Sequence, residues 1–117
     1  YIGNFKDIYT KAEKAIYTPG AASLNVLSPC TRGWGYEPSE MMNICKLAVE
    51  TCYWPLFEVV DGKWILSYAP KKKLPLEDFL RPQRRFKHLF KPGNEELLVA
   101  FQAEVDKRWE ELQNKCE

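Results

Sequence analysis

The sequence contains no long uncharged apolar run, and a membrane-spanning helix needs about 20 such residues in a row. Its opening residues, YIGNFKDIYT, carry neither a basic flank nor an apolar core, so they do not form a secretion signal. Cys-x-x-Cys pairs are absent and His88 is the only histidine, so the spacing offers no self-contained tetrahedral zinc site. No glycine-rich phosphate loop of the Walker or Rossmann kind occurs. Net charge is only +1, which gives no overall pull toward nucleic acid. Internal repeats and low-complexity segments are missing as well.

What is present suits one globular domain or a part of one. The chain has 117 residues, 45% hydrophobic and 28% charged, which is not the composition of a disordered protein. Its start reads like the middle of a longer chain, so a fragment or processed product is expected. Charge is unevenly placed. Residues 63–91 hold nine Lys or Arg against Glu77 and Asp78, and residues 95–117 hold seven acidic groups against Lys107, Arg108 and Lys115. Such blocks are usually solvated faces that partly compensate one another. The four cysteines are Cys30, Cys45, Cys52 and Cys116. Cys45 and Cys52 lie in an apolar helical pattern, where thiols act as small hydrophobes, and a reducing, cytoplasmic compartment is expected.

Residues 4–17 predict a helix: Phe5, Ile8, Tyr9, Ala12 and Ile16 recur at helical spacing, with Asn4 as N-cap and Pro19-Gly20 as stop. ASLNVL at 22–27 predicts a short buried strand. Helix, apolar strand and glycine-rich loop together suggest an α/β sheet. Pro38 and Ser39 open a second predicted helix, 39–53, with Met42, Cys45, Val49 and Cys52 as its stripe and Met41, Ile44 and Ala48 beside it. FEVV-DG-KWILSY predicts a hairpin, because an Asp-Gly pair supplies the two positive φ angles of a type I′ turn. The proline-punctuated segment 71–93 allows two short helices, 75–80 and 82–89. From Asn94 to the end a last helix is expected, its apolar stripe being Leu97, Phe101, Val105, Trp109 and Leu112.

Three sets of residues are candidates for chemistry. Cys30 stands in NVLSPCTRGWGYEPSE, in a Pro-Cys-x-x-Gly loop at the predicted strand exit. Such a cysteine can ligate a metal or cluster while backbone amides of the following turn, around Gly33, face the sulfur. The local pattern by itself equally describes a buried structural thiol, the commoner case. Trp34, Tyr36, Tyr53, Trp54, Trp64 and Trp109 could stack on bases or a cofactor, though aromatics more often fill cores or cover interfaces. In segment 81–91, Arg81, Arg84, Arg85, Lys87 and Lys91 interleave with Phe86 and Phe90; this could bind single-stranded nucleic acid, or be a solvated or partner-facing surface. Nothing near His88 supports nucleophilic catalysis.

LNVLSPCTRGWGY, then LAVETCYWPLFEVVDGKW, KKKLPLEDFLRPQRRFKHL and AEVDKRWEEL, together resemble the C-terminal part of the β subunit in the 2-oxoacid:ferredoxin oxidoreductase family, on its pyruvate-oxidising branch. The likeness covers nearly the whole chain. It implies the C-terminal portion of a thiamine-diphosphate-binding α/β fold, with a hairpin and a long C-terminal helix, as one unit: 1–70 sheet, cysteine loop and hairpin, 71–93 connector, 94–117 helix. It implies an enzyme that decarboxylates pyruvate on thiamine diphosphate with Mg²⁺, passes electrons through 4Fe–4S clusters to ferredoxin, and gives the acyl group to coenzyme A. In that family three ligands of one cluster lie in the N-terminal part and a fourth in a downstream Pro-Cys loop, which Cys30 matches. The Gly-Asp-Gly motif for Mg²⁺ and diphosphate and the cysteine pair are absent here, so the resemblance implies a piece that is inactive alone. Its partners would be the remaining β-subunit residues and the other subunits, not nucleic acid or membrane. Oxalate, 2-oxobutyrate or 2-oxoglutarate as substrate stays open, as does a different class of function, a non-catalytic adaptor binding an acidic partner or nucleic acid through 81–91.

Overall fold

A computed structural model describes residues 3–116. Helix α1 runs Phe5–Tyr17, and the side chain of Asn4 accepts from the amide of Asp7 as the expected N-cap. No residue of α1 is buried: Phe5, Tyr9 and Ile16 of the predicted apolar stripe are 70–77% exposed, and only Ile8 and Ala12 of that stripe are partly covered. α1 is joined to the rest by an ion pair from Lys14 to Glu58. The chain is accordingly elongated. Its radius of gyration is 15.8 Å, against roughly 13 Å for a compact domain of this length.

Residues 22–27 correct the expectation of a strand. They form no regular structure, and Leu24 and Val26 are exposed. A strand is held by ladder bonds to a neighbour, and the only strand pair among the described residues lies elsewhere. Leu27 alone of this stretch packs against the core. The described residues are therefore mixed helix with one antiparallel hairpin, and the parallel sheet expected of an α/β fold is not among them.

The body forms around α3, Met41–Glu50, which a short 3₁₀ turn at Pro38–Glu40 precedes. Ile44, Cys45, Ala48 and Val49 are buried, while Met42, expected on the stripe, is exposed; the buried face is turned toward Ile44 and Ala48. α3 stops at Thr51, and Cys52 follows with φ 61°, a left-handed conformation unusual for a side chain with a Cβ. Strands β1, Phe57–Val60, and β2, Lys63–Leu66, pair antiparallel with Val60 opposite Lys63. Asp61 and Gly62 have φ 50° and 76°, as the Asp-Gly signal requires.

α4, Leu76–Leu80, and a 3₁₀ segment, Arg84–Phe90, occupy the proline-rich connector. Leu76, Phe79, Leu80 and Leu89 from them are buried with Tyr36, Ile44, Ala48 and Val105 in one core. α5, Glu95–Lys115, closes it; Glu117, included in the expected helix, lies outside the described residues. Val105 and Leu112 are buried, Phe101 and Trp109 half-buried, and Glu96, Glu104, Glu110 and Glu111 exposed, as expected. Leu97 is 51% exposed instead, and Leu98 packs inward in its place. Asn94 does not cap the helix with its side chain, whose Nδ2 instead donates to the His88 carbonyl.

Candidate functional site

The Cys30 loop is fixed from both ends. Pro29 before it is buried, and its carbonyl accepts from the hydroxyl of buried Tyr36 at 3.1 Å. Burial, then the neighbouring Cys45 and Cys30 thiols, pushes the Tyr36 hydroxyl pKa up, which keeps it a donor. Beyond Cys30 the chain turns through α2, Thr31–Trp34; the Trp34 amide donates to the Cys30 carbonyl at 2.9 Å, and the Gly35 amide to Thr31 at 3.0 Å. Gly35 ends the turn at φ 73°. Glycine is required there: an added Cβ would stand 2.8 Å from Cβ of Arg84, whose amide donates to the Gly35 carbonyl at 2.9 Å. Gly33 is not so constrained, since a Cβ there would meet Cys30 Sγ at 3.4 Å, an ordinary contact.

Cys30 itself caps α2, its Sγ accepting from the Gly33 amide at 3.2 Å. It is exposed, while Cys45 and Cys52 are buried. Within the described chain Cys45 and Cys52 thus have the burial of structural thiols, and Cys30 does not. Burial pushes the Cys52 thiol up to about 11, so it stays protonated at neutral pH. Among the described residues no group of three His, Cys, Asp or Glu could hold a metal ion. Cys30 can therefore be one outward-facing ligand of a metal centre, and the other ligands of such a centre would come from elsewhere.

Most of the aromatic set is core or its edge. Trp34 meets Phe79 edge-on at 6.1 Å, Tyr53 lies 4.7 Å from Phe79, and Trp64 stacks on Phe57 at 5.4 Å. The basic segment is divided. Arg84, Lys87 and Lys91 are exposed, and Arg81 pairs with Glu77 and lies 4.4 Å from the Phe90 ring. Arg85 departs from the expected solvated or partner-facing surface. It turns inward, its guanidinium 4.0 Å from the Trp34 ring and 4.4 Å from Phe86. Sequence reasoning did not separate Arg85 from its basic neighbours, because no periodicity governs a short 3₁₀ segment between prolines. An open groove of about 1340 Å³ lies between α1, the 18–27 arm, β1 and α5, lined by Leu24, Val26, Trp54, Val59, Phe101 and Trp109 among others.

No protein-family model matches the chain. Curated relatives do. The pyruvate synthase subunit PorB of Thermotoga maritima is 42% identical over 107 residues, 91% of this chain and 33% of that protein. PorB of Methanosarcina barkeri is 41% identical over 90% of this chain and 36% of its own length. The ketoisovalerate oxidoreductase subunit VorB of Pyrococcus horikoshii is 37% identical over 96% of this chain and 35% of its own length. The chain thus spans about a third of the length of the relatives it matches. It is a relative of the β subunits of 2-oxoacid:ferredoxin oxidoreductases. Within that class, the resemblance to the C-terminal part of the pyruvate synthase β subunit is borne out.

Proposed function

We propose that the chain supplies the C-terminal portion of the β subunit of a pyruvate:ferredoxin oxidoreductase, with Cys30 as one cysteine ligand of a 4Fe–4S cluster. The observation that carries this is the Cys30 loop: an exposed sulfur, held by the Gly33 amide, in a chain 42% identical to a pyruvate synthase subunit over 91% of its length. An iron of such a cluster needs a soft anionic ligand, and an amide hydrogen bond to the sulfur stabilises that charge. Cys30 would hold one iron of such a cluster, which when bound would supply one-electron transfer between 2-oxoacid oxidation and ferredoxin. The residues here hold the sulfur in place: Tyr36 ties down Pro29, and Gly35 seats the turn against Arg84.

Thiamine diphosphate and Mg²⁺ are assigned to the rest of the subunit, because the sequence has no Gly-Asp-Gly motif and the described residues hold no carboxylate cluster for the cation. The remaining β-subunit residues and the other subunits are the partners in this reading, with ferredoxin and coenzyme A served by the whole complex. An exposed thiol fits a reducing, cytoplasmic compartment. The pyruvate assignment follows identities of 38–42% to pyruvate synthase subunits against 36–37% to ketoisovalerate oxidoreductase subunits. The adaptor alternative loses force because Arg85 and Arg81, two of its cations, are engaged within the chain.

The test uses Cys30→Ala, Cys45→Ala and Cys52→Ala in the complete complex, read by iron content and low-temperature EPR. Cys30→Ala loses or converts one cluster; the other two keep full iron. A Cys30→Ala complex with full iron and an unaltered spectrum refutes the reading.

A further inference from the structure

The Cys30 loop is anchored on its far side by an arginine that has the Tyr53 hydroxyl as a polar neighbour but no carboxylate counter-charge among the described residues. The Arg85 guanidinium lies between the faces of Trp34, 4.0 Å away, and Phe86, 4.4 Å away. Its Nε donates to Oε1 of Gln83 at 2.7 Å, and buried Gln83 in turn donates to the Phe79 carbonyl at 2.6 Å. Its Nη2 is buried without a hydrogen-bond partner, and no carboxylate forms an ion pair with Arg85 among the described residues. A cation drawn partly out of water without a counter-charge is costly unless something else requires it there. A leucine or methionine would fill the same space between two rings at lower cost.

Arg85 does one thing such a residue could not. Its planar, charged group binds two aromatic faces and a buried amide at once. Trp34 is the last residue of α2, and its amide already closes on the Cys30 carbonyl at 2.9 Å. Arg84, the residue just before it in the 3₁₀ segment, meets Gly35 through its backbone amide. The 3₁₀ segment thus grips the turn that carries Cys30 at Trp34 and Gly35 together.

We infer that Arg85 is a positioning residue for the Cys30 sulfur: by stacking on Trp34 and tying it to Gln83 it fixes the turn 30–35, and so the direction in which the sulfur meets a cluster. This deepens the proposed function and rests on Cys30 being a cluster ligand. Arg85 touches no reacting atom in this scheme.

The experiment uses Arg85→Met and the milder Arg85→Lys in the complete complex, with Cys30→Ala as control. Peptide-resolved hydrogen exchange over residues 30–36 reads the loop itself, and EPR with a redox titration reads the cluster. The expected result for both Arg85 variants is iron near the wild-type content, several-fold faster exchange confined to 30–36, and altered g values with a shifted midpoint potential for one cluster. Arg85→Lys keeps the charge and loses the plane, so it follows Arg85→Met if stacking positions the loop. A purely structural arginine lowers the unfolding temperature and leaves the cluster spectrum and potential alone; that outcome overturns the inference, as does unchanged exchange over 30–36. If Cys30→Ala keeps full iron, the ligand reading itself has failed, and the exchange measurement alone then decides whether Arg85 holds the turn.

Discussion

Replacing Gly35 and Gly62 by alanine separates two costs that a glycine can hide. Both residues have positive φ, 73° and 76°. Alanine in that region costs about 1–2 kcal/mol from its Cβ against the following carbonyl, offset by about 0.4–1 kcal/mol from the reduced freedom of the unfolded chain. At Gly62 nothing lies within 4 Å of the added Cβ, so Gly62→Ala shows only that net strain, up to about 1.6 kcal/mol. At Gly35 the Cβ would sit 2.8 Å from Arg84 Cβ, and the Arg84 amide is bonded to the Gly35 carbonyl, so the neighbour cannot retreat without breaking that bond. Forcing such an overlap adds about 1–3 kcal/mol. Urea unfolding of both variants, followed by far-ultraviolet circular dichroism, should give Gly35→Ala a larger loss than Gly62→Ala by that difference, with slopes unchanged. Equal losses at the two sites would refute the claim that the 3₁₀ segment is seated directly against the cysteine turn.

Phe101→Ala should cost about 2–3 kcal/mol in the same assay, below the 3–5 typical of a fully buried ring, because Phe101 is only half-buried beside Tyr53 and Phe86 at 6.3 and 6.2 Å. The folded Cys52 thiol, pushed up to about 11 by burial, lies above the roughly 8.5 of an unfolded cysteine; stability is therefore fully present below the lower value and is lost as pH rises through the higher, and Cys52→Ala should flatten that alkaline decline in unfolding midpoints. Asp106 is held below the usual carboxylate range, first by its hydrogen bond from Lys73, so its contribution is present above about pH 4 and is lost as pH falls through the folded value; Asp106→Asn should remove it, by less than about 1 kcal/mol since the pair is largely solvated.

The elements legible in the sequence are those whose stability is local. Asn4 caps α1, and Asp61-Gly62 makes its turn, because one side chain or one dipeptide carries the necessary geometry. α3 and α5 follow from helical spacing, although the stripe on α3 is turned from Met42 toward Ile44 and that on α5 takes Leu98 in place of Leu97. Periodicity defines a face only to within about one residue; which edge of the face is buried depends on what packs there. Residues 22–27 failed for a different reason. An apolar run shows that a segment prefers to be covered, but a strand exists only when another strand bonds to it, and none of the described residues does so. The same absence leaves Phe5, Tyr9 and Ile16 of α1 exposed although their spacing is regular.

At the site, the sequence marked one sulfur as a candidate but not what holds it. Pro-Cys-x-x-Gly marked Cys30, and the exposed Sγ with its amide donor agrees with that motif. Of the two loop glycines, Gly33 gives its amide to the sulfur but is sterically ordinary, while Gly35 carries the constraint. The difference comes from Arg84, about fifty residues later in the chain, and no local pattern could have revealed it. Arg85 is the stronger case. By composition it belongs with Arg81, Arg84 and Lys87 in a basic surface, and only the folded chain shows that one of these cations lies between Trp34 and Phe86. A charge run reports an average preference for water. It does not identify the member that tertiary packing withdraws from water, and here that member touches the turn bearing the candidate ligand.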